Sequence, residues 1–236
     1  LIDTGFDVAA LANNHIMDQG AEAMRETLAV LDAAGLGRLG AGDDPTDAAA
    51  PLLLETNGLR VAMLNIAEGE FSLSRGGPGV AGLDPVANCR AVETAGRHAD
   101  LAIVILHGGN EQVLYPSPLM QKRCRELIDA GAAAVVCHHP HVPQGIELYA
   151  GRPIAYSLGN FIFDWHDSEP ECDASFLLTL GVDRDGVVEL AALPFRQSAD
   201  RPLTMLADDE STAFVELLNE LSTPLAEVAV MQRLWE

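Results

Sequence analysis

Short apolar runs that end in polar clusters recur along the chain, and between them apolar residues fall three and four positions apart. Residues 7–12 (DVAALA), 101–106 (LAIVIL) and 133–137 (AAVVC) are the runs, and each has the length of a buried strand. Met24, Leu28 and Leu31 mark one face of a helix that Asp18 can cap and that Gly35 closes. A second helix opens at Asp84-Pro85, with Asp84 as cap and Pro85 in the first turn, and runs to about residue 98. A third opens at Ser117-Pro118, carries the stripe Met120, Cys124, Leu127 and Ile128, and closes at Gly131.

Hairpins interrupt this alternation. Residues 51–55 and 60–65 flank Asn57-Gly58, a strong two-residue turn signal. Residues 145–157 read as two strands around Ala150-Gly151, and 174–182 and 187–193 as two more around Asp185-Gly186. A helix over 209–221 and a shorter one near the end complete the pattern. Strand–helix units followed by antiparallel hairpins predict a layered α/β fold in which the strands are not all parallel.

Charge narrows the function. A net charge of −21 argues against binding nucleic acid or an anionic membrane through the general surface, although the acidity can equally reflect solubility or a salt-adapted source. An anionic substrate must then be drawn in locally, by a metal ion or a few placed cations. Cys89, Cys124, Cys137 and Cys172 show no CxxC spacing, so they read as free thiols and not as a disulfide scaffold or zinc knuckle. The chain has no apolar run of membrane-spanning length. It opens mid-element, which predicts that further structure precedes Leu1.

The three strands end in Asn13-Asn14-His15, in His107-Gly108-Gly109-Asn110-Glu111 and in His138-His139-Pro140-His141. Ligands gather at the carboxyl ends of strands in open α/β sheets, so these loops can converge on one pocket. His139 and His141 are two apart across a proline; in an extended segment they share a face, and His138 points away. Neutral imidazole is the commonest protein ligand for zinc-like metals, although three loop histidines can equally make ordinary hydrogen bonds. Glu111 could orient a histidine or reach a metal itself. Asn14 could offer an amide oxygen to a cation and His15 a proton to a leaving group. The alternative for Asn13 and Asn14 is turn chemistry before a helix. Glu68 with Glu70, Asn160, and Asp164 with His166 and Asp167 are further candidates, each with a loop or turn alternative.

The segments ALANNHIMDQG, HGGNE and AGAAAVVCHHPHVPQGIELYAGRPIAYSLGNFIFD resemble the CapA family of bacterial capsule synthesis proteins, the poly-γ-glutamate capsule family. That family is similar to calcineurin-like metallophosphoesterases. The resemblance covers nearly the whole chain, which it presents as a single domain over 1–236. It implies a layered α/β/β/α sandwich lacking its N-terminal strand and helix. Asn14 and His15 match the Asn-His of the superfamily's GNH motif, which implies a metal ligand and a proton-donating histidine. His107 matches a metal histidine, and His139 and His141 match the GHxH pair, with His138 in place of the glycine. Asn13, Glu111 and Asn160 would bind substrate or support the ligands. The implied function is a metal-dependent phosphoesterase-like hydrolase with two divalent ions, manganese, iron or zinc, in the complete protein. A non-catalytic part in a capsule polymer assembly or export complex is the alternative. The substrate would be an anionic small molecule or polymer, capsule-assembly proteins the partners, and the cell envelope or the cytoplasm the location.

Overall fold

The computed structural model describes residues 2–69, 72–163, 174–198 and 201–235. Its contacts divide the chain into two compact units, one of residues 1–108 with 129–132, the other of 109–128 with 133–236.

The first unit runs β1 (Val8–Ala10), α1 (Gly20–Ala33), β2 (Gly37–Leu39), β3 (Ala41–Gly42), α2 (Pro45–Ala48), β4 (Leu52–Thr56), β5 (Leu59–Ala67), β6 (Gly79–Val80), α3 (Pro85–Ala95) and β7 (Leu101–His107). β1 pairs with β2 and β5 with β7 in parallel, while β4 pairs with β5 and β3 with β6 antiparallel. Asn57 and Gly58, with φ of 50° and 76°, make the tight turn of the β4–β5 hairpin. Met24, Leu28 and Leu31 of α1 pack with Leu11, Ala12, Leu36, Ala41, Ala67 and Val80 in a core cluster. The apolar stripe of α1 and the run that contains β1 are therefore buried against one another. Asp84 caps α3 by accepting from the Ala87 amide at 2.9 Å.

Asp18 does not cap α1: Gln19 stands at that position and makes no capping bond with its side chain. The Asp18 carboxylate is instead taken up by His15, 2.8 Å from its Nδ1. Gly35, with φ of 72°, follows the C-cap residue Ala34 and ends the helix as expected.

The second unit runs α4 (Pro118–Asp129), β8 (Ala134–His138), β9 (Ile146–Tyr149), β10 (Arg152–Ala155), β11 (Ala174–Asp183), β12 (Gly186–Ser198), β13 (Arg201–Met205), α5 (Asp208–Ser222) and α6 (Val228–Leu234). β8 and β10 are parallel, β9 and β10 form an antiparallel hairpin, and β11, β12 and β13 form an antiparallel meander. Phe176 of β11 packs against Phe214 and Leu218 of α5. Beside α4 a buried carboxylate, Glu147, accepts from Tyr156 Oη at 2.7 Å and Arg125 Nε at 3.0 Å. Gln121 and Arg125 also donate to the Leu225 carbonyl, at 2.7 and 2.9 Å. Burial pushes the Tyr156 phenol up, so it remains a donor.

The hydrophobic pattern does not announce β2, β3, β6, β13 or α2. Apart from β13 they are two to four residues long, too short to establish a period.

Candidate metal centre

In the second unit Glu111, His139 and His141 offer three ligand atoms that all lie within 4.8 Å of one another. The backbone explains why they meet. His139 and His141 have φ of 109° and 63°, so the segment is bent and not extended. Side-chain alternation along a strand therefore does not hold there, yet the two imidazoles still come together, with ring centroids 5.9 Å apart. Pro140 between them anchors the neighbouring loop: its carbonyl accepts from the Gln112 amide at 2.8 Å. Gly109, with φ of 111°, lets that loop turn against the Pro140 ring, where a Cβ would lie 3.4 Å from Cγ. Glu111 is thereby held beside His139, with 3.8 Å between Oε1 and Nε2.

The donor set suits a divalent metal. Two imidazoles and a carboxylate are zinc-type ligands, and ligands about 2.1 Å from a shared ion lie roughly 3–3.5 Å from one another. Reaching that spacing needs a small inward movement. Glu111 can supply it because its side chain is 58% exposed, whereas that of His139 is 7% exposed. His141 is supported from behind: its Nδ1 lies 2.7 Å from Asn160 Oδ1, and its ring packs 4.7 Å from that of Phe163. His138, last residue of β8, is not in the cluster.

In the first unit the loop after β1 brings its own pair together. Asn14 Oδ1 lies 3.0 Å from His107 Nε2, a separation that also suits two ligands of one ion. The Asn14 carbonyl accepts from Ser72 Oγ at 2.8 Å. Asn13 is a turn residue: its Oδ1 accepts from the amides of His15 and Ile16, both at 2.8 Å. His15 is exposed, and its contact with Asp18 leaves Nε2 as the outward nitrogen. The pairing of Asp18 with His15 escapes a reading of Asp18 as a helix cap; their i, i+3 spacing is the signal that could have found it. Glu68 lies over the backbone of Gly108, where a Cβ would meet its Cγ at 2.6 Å.

Glu70, Cys172, Asp164, His166 and Asp167 lie outside the described residues. Among the described residues Cys89, Cys124 and Cys137 form no disulfide, and the sulfurs of Cys124 and Cys137 lie 3.6 Å apart.

A family model described as Bacterial capsule synthesis protein PGA_cap matches residues 1–165. The chain belongs to this family. Among its relatives, the PGA biosynthesis protein CapA of Bacillus subtilis (strain 168) is 32% identical over 224 residues, covering 93% of this chain and 59% of that protein. The capsule biosynthesis protein CapA of Bacillus anthracis is 30% identical over 227 residues, covering 93% and 55%. This PGA_cap chain thus spans somewhat more than half the length of these curated relatives. The crystal structure of a hypothetical protein from Thermus thermophilus matches with a TM-score of 0.55 at 16% identity, over 84% of this chain and 79% of that one. That likeness concerns the fold: a mixed α/β architecture with several sheets and helices.

Proposed function

We propose that this PGA_cap protein is a metal-dependent hydrolase of the metallophosphoesterase type acting on an anionic ester or polymer. The observation that carries the proposal is the Glu111, His139 and His141 cluster, one carboxylate oxygen and two imidazole nitrogens within 4.8 Å of one another. A second divalent ion would draw on Asn14 and His107, whose ligand atoms are 3.0 Å apart. Manganese, iron and zinc all suit these donor sets. Bound divalent ions supply Lewis acidity and water activated at neutral pH. His15 is the proton donor: Asp18 holds Nδ1, and the outward Nε2 delivers the proton to the leaving oxygen. Local cationic charge also answers how a chain of net charge −21 attracts an anion.

The test is manganese- or zinc-dependent hydrolysis of a chromogenic phosphodiester and of a γ-glutamyl polymer by the full-length protein. His15→Asn should lower turnover by about 10²- to 10⁴-fold without altering metal affinity. Absence of metal-dependent turnover on both substrates contradicts the hydrolase reading. A second reading, a non-catalytic part in polymer assembly, is favoured by the relatives' names, which are those of biosynthesis proteins.

A further inference from the structure

Asn160 holds His141 at two points. Its Oδ1 lies 2.7 Å from His141 Nδ1, and its Nδ2 donates to the His141 backbone carbonyl at 3.3 Å. The second contact decides the first. A carbonyl oxygen can only accept, so the amide must present its NH₂ to the backbone and its oxygen to the ring. The oxygen in turn accepts only from a ring nitrogen that bears hydrogen. Rotating the amide by a half turn would set two acceptor oxygens against each other. Asn160 is itself 7% exposed, so water competes poorly for either bond. The backbone at His141 has φ of 63°, a conformation L-residues rarely adopt, and the bond to its carbonyl helps to hold it.

We infer that Asn160 is a positioning residue that fixes His141 as the Nδ1–H tautomer, leaving Nε2 as the nitrogen that faces the ligand position beside Glu111 and His139. The inference rests on the metal reading of that cluster and adds what selects the ligating atom. An amide also does this without bringing a second negative charge to the site, as a carboxylate in the same place would. A ligating histidine whose other ring nitrogen is held has its orientation set before the ion arrives, and loss of such a partner typically costs about 10- to 100-fold in metal affinity.

Nitrogen-15 NMR of the histidine rings in the metal-free protein, with zinc titration of the same samples, tests this. His141 should be protonated at Nδ1 and not at Nε2. Asn160→Ala should release it to a mixture of tautomers and weaken zinc binding by about 10- to 100-fold. Asn160→Asp retains the acceptor for the ring but sets its other oxygen against the His141 carbonyl, so it should restore the Nδ1–H tautomer while lowering stability. A purely structural role would not produce tautomer rescue by Asp. A wild-type His141 protonated at Nε2, or an Asn160→Ala protein with unchanged tautomer and zinc affinity, overturns the inference. If the tautomers follow Asn160 but zinc does not bind the wild type, the metal reading fails while the clamp stands.

Discussion

His138 ends β8 next to the metal-type histidines but behaves differently from them. Burial of its imidazole pushes its pKa down from 6.5 to about 4, although the residue as a whole is only half-buried. In the unfolded chain the ring takes up a proton near pH 6.5; in the folded chain it does so only near 4. Between those values the unfolded state binds more protons, so stability falls as pH falls and levels off below about 4. The gap corresponds to at most about 3 kcal/mol. Urea unfolding between pH 7 and 4 should show this slope in the wild type, and His138→Gln should flatten it; an equal slope in the two proteins would remove the burial argument. The pairing of His139 with His141 is legible in the sequence, but its reason is not. Two-residue alternation suggests it, whereas positive φ at both residues and the anchoring of Pro140 by Gln112 produce it. A left-handed backbone at histidine leaves no mark in a hydrophobic pattern. Such strain, of order 1–3 kcal/mol per residue, tends to collect at functional sites.

Among the elements, the loop leaving β1 depends on a buried side chain far away in sequence. Asn65 of β5 accepts from the Ala12 amide at 2.7 Å and donates to the Ile105 carbonyl of β7 at 3.2 Å. Gly40 leaves room for it, since a Cβ there would collide with the Asn65 amide. The turn carrying Asn13, Asn14 and His15 begins one residue beyond Ala12. Asn65→Ala should therefore cost about 1–3 kcal/mol, the penalty of a buried amide left without a partner. Thermal or urea denaturation measures it, and a change under about 0.5 kcal/mol would show that the bond is dispensable. The longer elements are legible because each has a period and a punctuating residue: Asp84-Pro85 before α3, Asn57-Gly58 between β4 and β5, Gly131 after α4. Two- and three-residue strands such as β3, β6 and β2 exist only through tertiary pairing, so no local pattern announces them. Asp18 shows the same limit from the other side. Its position suits a helix cap, but the nearby imidazole of His15 holds its carboxylate instead.

For the molecule as a whole, a net charge of −21 attracts divalent cations to exposed carboxylates everywhere, so metal affinity means something only where those sites are screened. On the proposed reading Glu111, His139 and His141 hold a divalent ion and His138 does not. Isothermal titration of the protein with zinc or manganese near neutral pH, in about 0.15 M salt to screen the surface, decides this. His139→Ala and His141→Ala should each weaken the tight site by at least about 100-fold, because a ligand is lost outright and not merely misplaced. His138→Gln should bind within a few-fold of the wild type. Because metal binding displaces protons from imidazole, wild-type affinity should also fall as the solution is acidified. Tight binding that survives the loss of His139 and His141, or that vanishes with His138, would refute this ligand assignment.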